Sequence, residues 1–129
     1  SHPGDITNDL LDAMAECDSA MPSLAMPAQS GSAVVLKRMA RKYTAGRYRE
    51  IVAAGRERMP DLELASDWIV GFPGETDAQF EETLQLHRDT EPLTSYVFKY
   101  SPRPSTPSFQ SPAPAMASAR RCRPSELER

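Results

Sequence analysis

Residues 66–76 of the chain read SDWIVGFPGET, and this stretch decides the fold. Its first half contains consecutive apolar residues, Trp68 to Val70, where a half-buried strand would alternate apolar and polar residues. An uninterrupted apolar run predicts a strand that is covered on both faces, as in a parallel sheet. The second half is a turn rich in Gly and Pro that leads to Thr76, and the pairing of Thr76 with Gln79 predicts the capping box of a helix.

The segments before this unit alternate helical and extended patterns. Thr7 is placed to cap a first helix, and residues 24–28 form a short extended candidate that is followed by a short helix. A longer helix starts after Thr44 and ends before Pro60. Its apolar residues recur with helical spacing and are Tyr48, Ile51, Val52, Gly55 and Met59.

A β-rich segment, Thr94 to Tyr100, follows the last predicted helix. The full order is helix, strand, helix, helix, strand, helix, strand, which indicates right-handed βαβ crossovers and a parallel sheet. About three parallel strands with covering helices leave two sheet edges and an apolar inner face exposed. The sequence therefore predicts an α/β fold, a partial (β/α) barrel.

Proline marks the end of the ordered part. Six of the twelve prolines follow residue 100, among Ser and Ala and with few aliphatic residues. Such a composition does not form a packed element. We therefore expect an ordered domain over residues 1–104 and a basic, Pro/Ser/Ala-rich tail over residues 105–129 that is disordered.

Composition limits the class of protein. Of the 129 residues, 40% are hydrophobic and 26% charged, which suffices for one domain with an apolar core. The apolar runs are far shorter than the roughly 20 residues that span a bilayer, and the N-terminus lacks the pattern of a signal peptide. These features predict a cytoplasmic protein with no membrane partner. Cys17 and Cys122 lie far apart and define neither a disulfide framework nor a metal or iron–sulfur site.

Charge is unevenly distributed along the chain. The net charge is −3, although residues 101–129 carry five arginines and only two glutamates, so the rest of the chain is acidic. Since phosphate binding needs clustered Lys and Arg, an acidic body argues against a self-sufficient nucleic-acid surface. A nucleic acid partner would be held mostly by other parts of a larger protein.

Candidate binding residues follow the predicted strands, because ligands of parallel α/β folds bind beyond the carboxyl ends of the strands. Gln29, in the segment QSGS, offers a donor and an acceptor for a ribose diol, although such a residue is often only solvated. Arg41 can hold a carboxylate with two parallel hydrogen bonds, or can be a surface residue of a basic stretch. Asp67 starts a strand that is otherwise apolar, so its carboxylate needs a partner.

Two further candidates accompany the second and third strands. Glu75 ends the turn FPGE. It either belongs to a loop that presents backbone amides to a ligand or stabilises the next helix through the helix dipole. Phe98 lies near the end of the last strand, where it either joins the core or contacts a ring of a ligand. The sequence offers no candidate for catalysis and no set of metal ligands.

Five segments resemble one family in their order and spacing. They are SHP at 1–3, PAQSGS at 27–32, LKRMARKYT at 36–44, DWIVGFPGET at 67–76 and FKYSPRPSTP at 98–107. With them, residues 1–107 resemble the methylthiotransferases of the radical S-adenosylmethionine (SAM) superfamily. The resemblance is closest to the tRNA enzymes that add a methylthio group to an isopentenylated adenosine beside the anticodon.

The resemblance implies cofactors and roles for the candidate residues. SAM would bind across the open end of a partial barrel, with Gln29 at the ribose and Arg41, in the next helix, at the methionine carboxylate. Asp67 would lie on the nucleoside side, Glu75 in the loop beside the adenine, and Phe98 in the last strand that lines the adenine. The CxxxCxxC loop that holds the family's catalytic 4Fe-4S cluster is absent from the sequence.

The same resemblance implies a fragment, the C-terminal half of a radical SAM barrel that supplies SAM-binding groups and is inactive alone. Its partners would be the missing N-terminal half-barrel and the tRNA substrate of the parent enzyme. The alternatives are a sister methylthiotransferase acting on a ribosomal protein or on threonylcarbamoyl-adenosine in tRNA, and a non-catalytic α/β fragment. Ser30 favours the tRNA enzymes, because the ribosomal-protein enzymes usually have histidine at this position.

Overall fold

Seven elements follow one another in the predicted order of helices and strands. The computed structural model describes residues 2–102, and the elements are α1 (Asn8–Glu16), β1 (Ser23–Ala25), α2 (Ala33–Arg38), α3 (Ala45–Arg58), β2 (Glu63–Val70), α4 (Asp77–Thr90) and β3 (Thr94–Lys99). The predicted disordered tail from residue 105 onward lies outside the described residues. None of the helices between residues 2 and 102 is long and apolar enough to cross a membrane.

Helices begin where the sequence places capping residues. The hydroxyl groups of Thr7 and Thr44 accept hydrogen bonds from backbone N–H groups in the first turns of α1 and α3. Thr76 and Gln79 form the reciprocal capping box predicted for α4. Each cap satisfies a backbone donor that the helix leaves unpaired and stabilises the fold by about 1 kcal/mol.

The three strands form one parallel sheet in the order β1-β2-β3, which confirms the predicted α/β class. The last residues of β2 and β3 lie side by side, so both strands end at the same edge. The pairing of the first strand is interrupted at Ala28, whose N–H donates to the Ser66 hydroxyl at 3.2 Å instead of to a backbone carbonyl. Pairing resumes at Gln29, which forms an isolated parallel bridge with Trp68.

The two faces of the sheet have different surroundings. Buried side chains alternate with half-buried ones along β2, so the prediction that this strand is covered on both faces is wrong for the described residues. Helices α3 and α4 pack on one face only. The opposite face, which we call the open face, carries residues that alternate with the buried set and pair in register. These open-face residues are Ala25, Ala65, Asp67, Ile69, Tyr96 and Phe98.

Trp68 and Tyr48 form the centre of the core between α3 and the sheet, and both are fully buried. Burying a large apolar side chain stabilises the folded state by roughly 2 kcal/mol. The Tyr48 hydroxyl donates to the Met26 carbonyl at 2.8 Å and contacts the Ser66 hydroxyl at 2.9 Å. Burial raises the pKa of Tyr48 to about 12, so this hydroxyl stays protonated and keeps the bond that joins α3 to the first strand.

Candidate functional site

Three loops meet at the carboxyl edge of the sheet, where the sequence predicts a ligand site. They are residues 26–32 after β1, residues 71–75 after β2 and residues 100–102 after β3. Since the strands are parallel and neighbouring, the loops lie side by side.

Gln29 adopts a backbone conformation that is uncommon for a residue with a Cβ atom, with φ of 65°. Its N–H donates to the Asp67 carbonyl at 2.8 Å, and its carbonyl accepts the N–H of Ile69 at 2.9 Å. These two backbone bonds to β2 hold the residue in the left-handed region. Its side-chain Oε1 accepts a hydrogen bond from Arg41 Nη2 at 3.1 Å, so two of the predicted site residues are in direct contact.

Arg41 lies outside a helix, contrary to the expectation that it belongs to one. Helix α2 ends at Arg38, and Ala40, with φ of 56°, turns the backbone off the helical path. The N–H of Arg41 closes this turn by donating to the Leu36 carbonyl at 2.9 Å. The turn brings an exposed guanidinium to Gln29, and a guanidinium has further N–H donors with which to hold a carboxylate.

Glu75 lies inside the loop after β2. Its side chain is only 3% exposed, and its Oε2 accepts the N–H of Gly71 at 2.8 Å. Oε1 is buried without a hydrogen-bond partner among the described residues. Burial raises the pKa of Glu75, and the backbone N–H groups of Gly71 and Phe72 lower it by less. Gly71 and Gly74 have φ of 72° and 74°, so the loop bends at both glycines around this carboxyl group.

Asp67 lies in the middle of β2, whereas the sequence predicted that it starts the strand. The reason is that pairing with β1 extends β2 back to Glu63, upstream of the apolar run. The Asp67 side chain is half-buried on the open face beside Tyr96, its neighbour in register on β3. Both residues line a cavity of about 380 Å³, together with His2. This carboxylate can accept hydrogen bonds from a ligand on the open face.

Phe98 lies on the open face beside Ile69 and does not join the core. Its side chain is 54% exposed, as is that of Tyr96. Two exposed aromatic side chains on one face, next to a cavity, form an apolar surface of the kind that binds a ligand or another part of a protein. Gln29 and Arg41 thus form a pair, Asp67 and Phe98 share the open face, and Glu75 lies apart from them inside its loop.

Two residues that the sequence did not single out as functional join these loops. Arg38 Nη1 donates to the carbonyls of Gly74 at 3.1 Å and Pro73 at 3.4 Å, which ties α2 to the loop after β2. Thr83 of α4 is fully buried, and its hydroxyl accepts the N–H of Gly31 at 2.9 Å. Each of these contacts joins residues at least 35 positions apart in the chain, so the sequence carries no local signal for either.

Metal ligands are not grouped in the part of the chain that the structure describes. Among residues 2–102, no group of three or more His, Cys, Asp or Glu side chains is placed to hold a metal ion. Cys17 is exposed and free. A 4Fe-4S cluster is held by several cysteine thiolates, so these residues do not fit one.

Comparison with known proteins shows the family to which the chain belongs. The sequence profile of the radical SAM superfamily matches residues 1–87. Because the match covers more than half of the chain, the chain belongs to the radical SAM superfamily. The resemblance noted from the sequence is confirmed.

Several bacterial relatives carry the name tRNA-2-methylthio-N(6)-dimethylallyladenosine synthase. The relative from Parafrankia sp. is 45% identical over an alignment of 130 positions, which covers 98% of this chain and 26% of the relative. The relative from Bacillus subtilis is 50% identical over 107 residues, 83% of this chain and 21% of the relative. That from Tropheryma whipplei is 41% identical over 111 residues, 86% of this chain and 24% of the relative. The chain thus spans about a quarter of the length of these relatives.

A solved structure has the same fold. It is coproporphyrinogen III oxidase from Escherichia coli, described as a radical SAM enzyme, with a TM-score of 0.67 and 24% sequence identity. The match covers 81% of this chain and 23% of that enzyme. At this identity the likeness concerns the fold alone. It agrees with a partial barrel of which this chain holds a part.

Proposed function

We propose that this chain forms the C-terminal half of the radical SAM barrel of a tRNA methylthiotransferase, which adds a methylthio group to an isopentenylated adenosine beside the anticodon. The shared name of the relatives and their 41% to 50% identity support this substrate over that of a sister enzyme. In this proposal the parent enzyme acts in the cytoplasm, and tRNA is its macromolecular partner.

The contact between Gln29 and Arg41 carries the proposal for this chain. It places an amide and a guanidinium 3.1 Å apart at the carboxyl edge of a parallel sheet. SAM presents a methionine carboxylate, a ribose diol and an adenine, which need a cation, a neutral donor and acceptor, and an apolar surface respectively. Arg41 would hold the carboxylate with two N–H groups, and Gln29 would bind the ribose hydroxyls. The described residues therefore fit this cofactor.

The open face would hold the nucleoside end of SAM. We assign the exposed ring of Phe98 to the adenine, where it would contact the flat face of the base. Asp67 would accept hydrogen bonds from polar groups of the nucleoside, since its carboxylate lines the cavity on this face. Glu75 would act on the adenine side by keeping Gly71 and its loop in place.

The iron–sulfur cluster belongs to another part of the parent enzyme in this proposal. When bound beside a 4Fe-4S cluster, SAM supplies the radical chemistry of the superfamily. The described residues do not fit the cluster, so its ligands would come from the N-terminal half-barrel. This chain would bind and orient SAM and form part of the barrel wall, and it would be inactive alone.

A titration of the full chain with SAM tests the proposal. Two-dimensional NMR on the 15N-labelled chain detects weak binding, and the shifts should concentrate at Gln29, Arg41 and the open face. Arg41→Lys keeps the charge but loses the planar pair of donors, so the dissociation constant should rise by about one to two decades. Arg88→Lys is the matched control, because Arg88 is an exposed partner of Glu81 on the far surface of α4.

Two results would count against the proposal. One is an affinity for SAM in the Arg41→Lys chain that equals that of the unmodified chain. The other is a set of SAM-induced shifts that avoids the carboxyl edge of the sheet.

A further inference from the structure

We propose that Thr83 on α4 is a positioning residue for the SAM site, because its buried hydroxyl locks the loop that presents Gln29. The inference rests on the proposed function of Gln29 and Arg41. It concerns a residue that touches neither of them. The contacts that link Thr83 to Gln29 lie between α4 and the segment Ser30 to Ser32.

The Thr83 hydroxyl is the point at which the loop after β1 is attached to α4. Its Oγ1 lies 2.9 Å from the N–H of Gly31 and 3.1 Å from the Ser30 hydroxyl. The Ser30 Oγ also accepts the N–H of Ser32 at 3.1 Å. Thr83 and Ser30 are both 0% exposed, so bulk solvent does not reach these contacts in the folded chain.

One arrangement of the hydroxyl protons satisfies every contact in this cluster. Thr83 donates to the carbonyl of Gln79, 3.4 Å away in its own helix, and accepts from Gly31 and from Ser30. Ser30 donates to Thr83 and accepts from Ser32. Each hydroxyl thus uses its one proton, while Thr83 uses both of its acceptor positions and Ser30 uses one. A valine in place of Thr83 keeps the shape of the side chain and removes the three contacts of its hydroxyl, with Gly31, Ser30 and the Gln79 carbonyl.

Gly31 makes the attachment close. A Cβ atom on this residue would lie 2.2 Å from the carbonyl oxygen of Glu82, so only glycine lets the loop rest on the backbone of α4. The loop is therefore fixed by backbone contact as well as by the Thr83 hydroxyl. The contact with α4 therefore limits the positions that the backbone just before Gly31 can adopt.

Gln29 lies two positions before Gly31 and is separated from it by Ser30 alone. Its φ of 65° is unfavourable for a residue with a Cβ atom, so the surrounding contacts must impose it. On one side it is held by the backbone bonds to β2. On the other side, the contacts of Thr83 with Ser30 and Gly31 fix the direction of the backbone after Gln29. Release of this side would let Gln29 relax and carry its amide away from Arg41.

The test uses the full chain and three threonine variants. Thr83→Val removes the hydroxyl that contacts Ser30 and Gly31, and Thr83→Ser keeps a hydroxyl. Thr90→Val is the matched control. Thr90 is equally buried on α4, and its hydroxyl bonds only to the Leu86 carbonyl among the contacts given by the structure, at 2.7 Å. The three readouts are amide hydrogen exchange at Gly31, the melting temperature, and the affinity for SAM by the NMR titration.

We expect Thr83→Val to speed exchange at Gly31 by about tenfold or more and to weaken SAM binding by about tenfold. Thr83→Ser should restore both, while Thr90→Val should lower the melting temperature without changing either. If Thr83→Val does not fold, Ser30→Ala removes the same Ser30 to Thr83 contact from the loop side, with the same expected changes in direction.

The inference is overturned if Thr83→Val loosens Gly31 but binds SAM as tightly as the unmodified chain, which would leave the roles of Gln29 and Arg41 standing. Equal effects of Thr83→Val and Thr90→Val would also overturn it, since they would reflect general loss of stability. A failure of the unmodified chain to bind SAM at its carboxyl edge contradicts the proposed function itself and, with it, this inference.

Discussion

At the scale of single residues, the carboxyl group of Glu75 shapes the loop after β2. The side chain folds back on its own loop and accepts the N–H of Gly71. Burial raises its pKa above the ordinary value of 4.5, an effect larger than the lowering by the backbone N–H groups of Gly71 and Phe72. The loop is therefore built around a carboxyl group that is costly to ionise.

The raised pKa predicts a dependence of stability on pH. Because the folded state binds this proton more tightly than the unfolded state, the contribution is fully present below pH 4.5 and is lost as the pH rises through the folded pKa. We expect the free energy of unfolding of the unmodified chain to fall, relative to that of Glu75→Gln, between pH 4.5 and neutral pH. Urea denaturation at each pH measures it.

Glu57→Gln is the control for this prediction, since it removes the same charge from an exposed position on α3. Its stability should follow that of the unmodified chain across the same range of pH. Parallel curves for the unmodified chain and Glu75→Gln would contradict the prediction.

Ser30 packs the loop after β1 against α4. It is fully buried and bonded to Thr83. A larger side chain at this position would have to displace α4 or the loop.

At the scale of elements, the surroundings of Gly31 and Gly46 predict opposite effects of alanine substitutions on the stability of the fold. Gly31→Ala forces the loop off the helix backbone and should lower the free energy of unfolding by about 3 kcal/mol. Gly46→Ala should raise it by about 0.5–1 kcal/mol, because Gly46 lies in α3 and the nearest atom to an added Cβ is 3.8 Å away. Urea denaturation of both variants checks the signs, and a neutral Gly31→Ala would contradict the account.

The elements themselves were predictable because local signals decide them. Thr44, Thr76 and Gln79 cap helices as the sequence indicates, and the apolar spacing of α3 gave its buried face. The start of β2 was missed because its first residues are fixed by pairing with β1, and that register is a property of the folded sheet. The position of Arg41 was missed because α2 ends at Arg38 and the backbone turns at Ala40. Ala40 has a positive φ, which the sequence would have signalled only with a glycine.

The candidate site was predictable only in part for the same reason. Strand ends pointed to Gln29 and Asp67, and the structure puts both at the sheet. The contact of Gln29 with Arg41 joins residues that are close in sequence, whereas Thr83 lies 52 positions from Gly31. A pair so distant in the chain leaves no periodic or spacing signal, and only the packing of α4 on the loop reveals it.

At the scale of the whole molecule, the open face explains how a small sheet can belong to a larger barrel. Helices cover one face, while Tyr96 and Phe98 stay 54% exposed on the other. Large exposed aromatic side chains on a sheet face are unusual in a self-contained domain. The chain also spans only about a quarter of the length of its relatives, so those proteins contain enough further sequence to form additional strands.

The most direct measurement of the central claim is the activity of a chimera. Residues 1–102 of this chain would replace the matching segment of the Bacillus subtilis relative, and mass spectrometry would measure methylthiolated dimethylallyladenosine in tRNA. We expect product from the chimera and about a tenfold or greater loss with Arg41→Lys, with Arg88→Lys as the unchanged control. A chimera that folds and carries its iron–sulfur cluster but leaves the tRNA unmodified would contradict the account.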